Sequence, residues 1–293
     1  MSYPYTRYLA AKKSVDDRAL HQGVVSELRA LLPAGPVRVL EIGAGLGTMV
    51  ARLLEWDLLR GGEYVLLDVD RQLLLDSRHW LCEWAQTRGL TPEVSEDWLG
   101  LGELRVQFVE AEIGDYLHRG LGEPADLLIA NAFLDLVEVP ATLPGLFRLL
   151  VPGGLYWFTI NFDGETIFQP DHPDDSEFMA VYHRGMDERV RYGRPAGESR
   201  AGRHLYHHLR RAGAPPLASG SSDWVVHAQA NGSYRGDEGY FLESILGTVE
   251  EGLRGQVDGA RLDEWMRVRL GQVASGELLY IAHQIDYVGR APS

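Results

Sequence analysis

The sequence predicts an α/β fold in which helices wrap a mostly parallel sheet. From residue 37 onward, short apolar or β-branched runs alternate with amphipathic stretches, a pattern typical of such sheets. A glycine-rich turn follows the first of these runs, as it does where a strand passes directly into a helix. With 293 residues, of which 45% are hydrophobic, the chain is long enough to bury a large core.

The elements of the first half can be placed in chain order. The stretch "SVDDRALHQGVVSELRALLP" predicts one helix with a capping box at Ser14 and an end at Pro33. The clearest later helix is Arg71 to Arg88. Five strands are predicted near Val37 to Ile42, Tyr64 to Asp68, Leu104 to Val109, Ala125 to Ala130 and Leu155 to Ile160.

The second half is less regular. Residues 161–200 have no sustained period and predict a partly helical insertion over the sheet edge. A helix at "RHLYHHLRRAGA" and strands at "SDWVVHA" and "GELLYIAHQIDYVGR" follow, with two helical patterns between the strands. We therefore expect an N-terminal helical cap (1–36), a core (37–160 and 200–293), an insertion (161–199) and a second helical insertion (231–275).

Composition excludes several classes of function. The formal charge of −14 repels phosphate backbones and anionic lipid surfaces, so no nucleic-acid or membrane partner is expected. Cys82 is the single cysteine, which excludes an internal disulfide and a multi-cysteine metal site. No apolar run has the length of a signal peptide or a membrane span. These features predict a cytoplasmic protein, and they leave its oligomeric state open.

The turn "VLEIGAGLGTM" favours a nucleoside-type ligand. Glycines 43, 45 and 47 alternate, and Thr48 stands where the dinucleotide pattern G-x-G-x-x-G needs its third glycine. A turn of this kind brings backbone N–H groups and a helix N-terminus to the ligand. The acid at Glu41 suits a cationic ligand better than a diphosphate.

The same stretch resembles motif I of the class I S-adenosylmethionine-dependent methyltransferases, and later stretches resemble the landmarks of that family in order. "YVLLDVD" matches the second strand and its ribose-binding acid, "VQFVEAEIGDY" the adenine-binding acid, "ADLLIANAFLDLV" the segment along the methionine part, and "LLVPGGLYWFTIN" the turn and fifth strand. The resemblance implies these cofactor contacts: Glu41, Gly43, Ala44, Gly45, Asp68, Val69, Glu112, Ile113 and Asn131.

Each assignment has a structural alternative. Asp70 is a rival to Asp68 for the ribose. The alternative for Glu112 is a solvated loop acid, and the alternative for Asn131 is a turn former. The N-terminal Arg7 and Tyr8 are further candidates for contacts with cofactor or substrate.

The resemblance implies a Rossmann-like, doubly wound, seven-stranded sheet with an antiparallel last strand. It also implies S-adenosylmethionine as cofactor and methyl transfer to an N- or O-nucleophile of a small-molecule acceptor. Two alternatives stay open, an NAD(P)-dependent oxidoreductase and a non-catalytic S-adenosylmethionine-binding regulatory protein. No metal is expected, because the spacing of His204 and His208 suits zinc but no third ligand is evident.

The insertion after the fifth strand is the predicted lid of the acceptor site. Its candidates for catalytic contact are Asn161, Asp163, Tyr182 and His183. Between residues 161 and 200 there are nine acidic side chains against five arginines, which favours a neutral or amine-bearing acceptor.

Overall fold

The computed structural model describes residues 4–120, 122–191 and 194–292. Its helices are α1 Tyr5–Ala19, α2 Gln22–Leu31, α3 Thr48–Glu55, α4 Arg71–Thr87, α5 Ile113–Arg119, α6 Val139–Phe147, α7 Asp175–Asp187, α8 Ala201–Arg211, α9 Glu238–Leu253 and α10 Gly259–Ser275. Its strands are β1 Val37–Ile42, β2 Gly61–Asp68, β3 Glu93–Val94, β4 Trp98–Leu101, β5 Glu103–Glu110, β6 Ala125–Asn131, β7 Leu150–Gln169, β8 Val190–Arg191, β9 Arg194–Pro195, β10 Pro216–Ser221, β11 Trp224–Val226 and β12 Leu279–Arg290.

One large sheet has the strand order β10-β12-β7-β6-β1-β2-β5-β4-β3. The central strands β7, β6, β1, β2 and β5 are parallel, and β12 runs antiparallel between β7 and β10. The predicted fold class, a Rossmann-like sheet with an antiparallel last strand, is confirmed. The sheet has more than seven strands because the short β3 and β4 extend it beyond β5 and β11 also pairs with β12.

The register brings three strand ends to one edge. Ile42, at the end of β1, lies beside Leu67 of β2 and Ala130 of β6. Loops that leave the carboxyl ends of parallel strands therefore meet there, on both sides of β1. The order reverses at this point, since the chain passes from β1 to β2 on one side and later returns to β6 on the other.

The core has one layer on each face of the sheet. Alternate residues of a strand point to opposite faces, so Val39 packs in one cluster and Leu40 in the other. Side chains from α1, α2, α3, α4, α9 and α10 fill the first cluster, whereas those of α5, α6 and α8 fill the second.

The prediction of a single helix before β1 is wrong. The chain forms α1 and α2, with extended backbone at His21 between them. The His21 amide donates to Asp286 of β12 at 2.9 Å, and its ring accepts from Val24 N at 3.3 Å to cap α2. Ser14 lies inside α1, where its hydroxyl donates to Glu238 at 2.8 Å. Tertiary hydrogen bonds thus decide where these helices begin and end.

The fifth predicted strand is longer than expected. β7 continues past Ile160 to Gln169, because β12 pairs with it from Leu155 to its end. The chain then forms α7 and the short β8 and β9 before α8. β10 was not anticipated from the sequence, whereas α9 and α10 correspond to the two predicted helical patterns. The division into cap, core and insertions stays a prediction.

Candidate functional site

A cavity of about 1160 Å³ opens at the carboxyl edge of the sheet where β1, β2 and β6 end. Ligand cavities are commonly about 300–1,000 Å³, so this one has room for two small molecules side by side. Its lining comes from the glycine turn, the loops after β2 and β6, the N-terminal helix α1, strand β7 and helices α7 and α9.

The glycine turn forms one wall of the cavity. Gly43, Gly45 and Gly47 have φ angles of 62°, 55° and 73°, in the left-handed region that favours glycine. A Cβ on Gly43 would lie 2.5 Å from the ring of Phe133. The turn therefore needs glycine both for its backbone angles and for the close approach of the loop after β6.

Asp68, at the end of β2, connects the turn to the neighbouring loop. Its Oδ2 accepts the Gly45 amide at 2.8 Å, and its Oδ1 accepts the Asp70 amide at 3.0 Å. The rival Asp70 has a different role, since its carboxylate caps α4 by accepting from Leu73 N at 3.0 Å. Both aspartates line the cavity, as does the exposed Val69.

Glu41 is buried at the base of the turn. The hydroxyl of Tyr64 donates to its Oε2 at 2.8 Å. Burial raises the pKa of Glu41 to about 8, although the hydrogen bond and the nearby Arg52 oppose the shift. The raised pKa favours the protonated carboxyl group of Glu41 at pH 7, and its predicted place beside a cationic ligand stays a prediction.

Glu112 and Ile113 do not line this cavity. Glu112 is the N-cap of α5 and accepts the Asp115 amide at 3.2 Å. Ile113 packs against the second core cluster. For Glu112 the structure supports the capping role, and the predicted adenine contact has no support from the cavity.

Asn131 closes the other side of the turn. Its side-chain oxygen accepts from Thr159 at 2.8 Å, and its nitrogen donates to Asp16 of α1 at 3.5 Å. It lines the cavity and connects the end of β6 to the N-terminal helix. Ala44 also lines the cavity.

A buried ion pair on α1, which the sequence analysis missed, faces the same region. Lys12 and Asp16 are 6% and 1% exposed and lie 2.6 Å apart, Nζ to Oδ2. The indole of Trp224 donates to the other oxygen of Asp16 at 2.9 Å. Within the described part of the chain, the Lys12 ammonium makes this one hydrogen bond and has two further donors. Both residues line the cavity.

Part of the cavity lining is apolar and aromatic. We call the side chains of Phe162, Tyr182, Met186, Ile245 and Tyr280 the aromatic chamber. Of the four predicted catalytic candidates, Tyr182 alone lines it. The ring of Tyr8 also lines the cavity and stacks on Phe241 at 5.7 Å between centroids. Arg7 instead pairs with Asp237 at 2.7 Å on the surface.

The other three candidates do not line this cavity and have structural partners, of which Thr166 lines both this cavity and a second one. Asn161 is buried and donates to Ile285 O of β12 at 2.8 Å. Asp163 accepts from the amide and side chain of Arg203 at 2.7 and 2.8 Å. His183 lies 3.0 Å from Thr166 Oγ1 and lines a second cavity of about 500 Å³. Burial lowers the pKa of His183.

One more cavity residue was missed, Asp135 in the turn after β6. Burial raises its pKa to about 6, and its Oδ1 is a buried atom without a hydrogen-bond partner among the described residues. The sequence offered one weak signal, an acid four residues after Asn131 in "NAFLDLV".

The residues that the structure describes contain neither a candidate metal site nor a membrane-spanning helix. No group of three or more His, Cys, Asp or Glu side chains there is arranged around a metal position. His204 forms a hydrogen bond with Glu198. No helix in the same ranges has the length and apolar character needed to cross a bilayer.

Comparison with known proteins shows resemblance in structure alone. No protein-family model matches the sequence, and no curated protein matches it significantly. A methyltransferase from Thiobacillus denitrificans in complex with S-adenosyl-L-homocysteine aligns with a TM-score of 0.47 and 15% identity, over 99% of this chain and 100% of that one.

Two other solved structures align in the same range. A putative sarcosine dimethylglycine methyltransferase from Galdieria sulphuraria has a TM-score of 0.45 and 14% identity, over 92% and 84% of the two chains. A cyclopropane synthase from Mycobacterium tuberculosis has a TM-score of 0.45 and 11% identity, over 98% of each chain. These TM-scores are too low to support an argument, so the fold class rests on the strand order and the antiparallel β12. Both agree with the topology that the sequence resemblance implies.

Proposed function

We propose that the protein is an S-adenosylmethionine-dependent methyltransferase that methylates an N- or O-nucleophile of a small molecule. One observation carries the proposal. A single cavity is lined by the glycine turn, Asp68 and the Lys12–Asp16 pair and also by the aromatic chamber. A nucleoside carrying an amino acid matches the polar side in chemistry, and an acceptor with an apolar body matches the chamber.

The polar side supplies groups for each part of the cofactor. Asp68 is the candidate for the ribose hydroxyls, the turn glycines leave room for close approach of the ligand, and Lys12 has donors for a carboxylate. The Gly45 amide is already bonded to Asp68, so the turn offers a diphosphate one N–H group fewer. This disfavours the dinucleotide alternative.

The bound cofactor would supply an activated methyl group on its sulfonium. The protein then has to hold the acceptor nucleophile in line with that methyl group and exclude water. The walls of the chamber and α1, which lies over the strand ends, fit that task. We assign the reaction to the cytoplasm, because a chain with Cys82 as its single cysteine has no internal disulfide and suits a reducing compartment.

Titration calorimetry with S-adenosylmethionine and S-adenosylhomocysteine tests the proposal directly. We expect both to bind with micromolar dissociation constants, at about −8 kcal/mol. Absence of binding at high micromolar ligand would refute the proposal. Fluorescence titration with NADH and NADPH tests the oxidoreductase alternative. Methyl transfer to any member of an amine and alcohol panel would exclude the regulatory one.

The raised pKa of Glu41 predicts that pH affects the affinity for S-adenosylmethionine differently from the affinity for S-adenosylhomocysteine. The carboxyl group ionises as the pH rises through about 8, with Tyr64, Arg52, Lys12 and Asp68 as its charged or titratable neighbours. A sulfonium cation gains from that ionisation, whereas the neutral thioether of S-adenosylhomocysteine does not. Between pH 6.5 and 8.5 we expect the affinity ratio to shift about three- to tenfold toward S-adenosylmethionine.

Calorimetry at both pH values checks this prediction. The sulfonium charge lowers the pKa of the α-ammonium of S-adenosylmethionine relative to that of S-adenosylhomocysteine, so the ligands themselves contribute to the pH dependence of the ratio. Glu41→Gln keeps this ligand contribution and should lose the part that comes from Glu41. An equal pH dependence in wild type and variant would assign the effect to another group.

A further inference from the structure

The turn after β6 places a carboxylate, that of Asp135, in the cavity lining, and the proposed cofactor contacts do not include it. Leu134–Leu136 form one 3₁₀ turn, and the fully buried Leu134 anchors it in the core. The next residue, Asp135, directs its side chain to the cavity, and its carbonyl accepts the Glu198 amide at 3.2 Å. The backbone on both sides of Asp135 is therefore fixed by packing and hydrogen bonding.

The half-buried Asp135 side chain has one carboxylate oxygen without a hydrogen-bond partner among the described residues. Its Oδ1 is inaccessible to solvent and makes no hydrogen bond within the described ranges. A buried acceptor without a donor is unfavourable, so such atoms commonly mark a ligand site. By contrast, Asp16 in the same cavity accepts from Lys12 and Trp224.

Three groups face Asp135 from the surrounding elements. They are Lys12 of α1, Arg189 after α7 and Tyr182 of α7. The Lys12 ammonium is 2.6 Å from Asp16, and no ion pair within 4.0 Å joins Asp135 to Arg189 in the described structure. Burial outweighs the hydrogen bond from the backbone amide of Asp135 and the two cations, and raises the pKa of Asp135 to about 6, so the group is mostly ionised at pH 7.

The chamber around this carboxylate suits a cation with an apolar body. Phe162, Tyr182 and Tyr280 contribute aromatic surface, and Met186 and Ile245 complete the wall. Aromatic faces attract ammonium groups, and a buried carboxylate attracts them more strongly. A hydroxyl or carboxylate acceptor would bring no positive charge to Asp135, which would then have only Lys12 and Arg189 as neighbouring cations.

We propose that the methyl acceptor is a primary or secondary amine on an apolar, preferably aromatic, body and that Asp135 binds its ammonium group and removes its proton. This inference rests on the proposed methyltransferase function. In the first step one N–H proton moves to the Asp135 carboxylate, which gives a neutral amine and a carboxylic acid. The nitrogen lone pair then forms the N–CH₃ bond while the S–CH₃ bonding pair returns to sulfur. The products are an alkylammonium and a thioether, and charge is conserved.

Three size-matched probes test the proposal on protein saturated with S-adenosylhomocysteine: phenethylamine, 2-phenylethanol and 3-phenylpropanoate. Calorimetry at pH 7 should show phenethylamine binding at least about tenfold more tightly than the alcohol, and the carboxylate more weakly than both. Asp135→Asn should remove about tenfold of the amine affinity and change the alcohol affinity less than about twofold. From pH 7 to pH 5 the wild type should lose its amine preference, because Asp135 becomes protonated while the amine stays charged.

Glu138→Gln is the matched control, since Glu138 is an exposed carboxylate three residues away that does not line the cavity. It should keep the amine preference. Thermal unfolding reports on the fold of Asp135→Asn. We expect its Tm to exceed that of the wild type most at pH 7.5 and least at pH 4, because the raised pKa makes the ionised carboxyl destabilising by an amount that builds up between about pH 4 and about pH 6.

The possible failures can be told apart. Equal amine affinity in wild type and Asp135→Asn, preference for the alcohol or the carboxylate, or no binding of any probe would each overturn the amine assignment. In all of these cases S-adenosylhomocysteine would still bind. If it does not bind in the first place, the proposed function itself is refuted.

Discussion

Replacing Asp68 with alanine should weaken S-adenosylhomocysteine binding at least about 100-fold, or about 2.7 kcal/mol. Two losses combine in this variant. The proposed hydrogen bonds from ribose hydroxyls to a carboxylate disappear, and so do the bonds that hold the Gly45 and Asp70 amides. The glycine turn would then lose its connection to β2. Calorimetry measures the affinity, and thermal unfolding shows whether the variant is folded.

Asp163→Ala is the control for this experiment. Asp163 is a buried aspartate that lies outside the cavity and accepts hydrogen bonds from Arg203. Its loss should lower the Tm, because Arg203 loses its partner, and should change the cofactor affinity less than about twofold. Equal affinity losses in both variants would contradict the assignment of Asp68 to the cofactor.

The second large effect is expected at Lys12. Lys12→Met should weaken S-adenosylhomocysteine binding about ten- to a hundredfold, because a charged hydrogen bond to the ligand carboxylate is lost. Binding of 5′-methylthioadenosine, which lacks the amino-acid part, should change less than about threefold. Calorimetry with the two ligands on the same protein therefore locates the contact at one end of the cofactor.

Two further variants complete this test. Lys13→Met is the control on the next residue, since Lys13 pairs with Asp17 and Glu55 at 2.8 and 2.7 Å and does not line the cavity. Lys12→Met leaves the buried Asp16 carboxylate without its cation and should lower the Tm. The double variant Lys12→Met/Asp16→Asn removes that carboxylate charge and should restore the Tm without restoring the affinity for S-adenosylhomocysteine. Similar losses for both ligands would contradict the assignment of Lys12 to the carboxylate.

The central sheet could be predicted from the sequence because its strands are short apolar runs with clear turn signals. The predicted bounds of β1 agree with the structure, and those of β2, β5 and β6 differ at the ends by a few residues. The longer β7 could not be predicted, because its extension depends on pairing with β12, more than a hundred residues away. Local sequence carries no signal for such a contact.

The candidate site was predicted in part. The turn glycines, Asp68, Val69 and Asn131 lie around one cavity, whereas Glu112 caps a helix. Those that lie together follow strands of the same sheet, whose ends must meet at one edge. Glu112 follows β5, farther along that edge, where its immediate neighbours in the chain are the nearest donors. Whether these residues bind the cofactor stays a prediction.

The stretch "AAKKSVDD" separates what the sequence determined from what only the tertiary structure decided. Its spacing determined two i,i+4 lysine–aspartate pairs on one helix, Lys12–Asp16 and Lys13–Asp17. The two pairs are equivalent in sequence. In the fold, α1 turns one of them toward the strand ends and the cavity and leaves the other beside α3. Burial by distant elements, Trp224 among them, makes that choice, because a helix sequence sets the angle between its faces but not the face that the rest of the chain will cover.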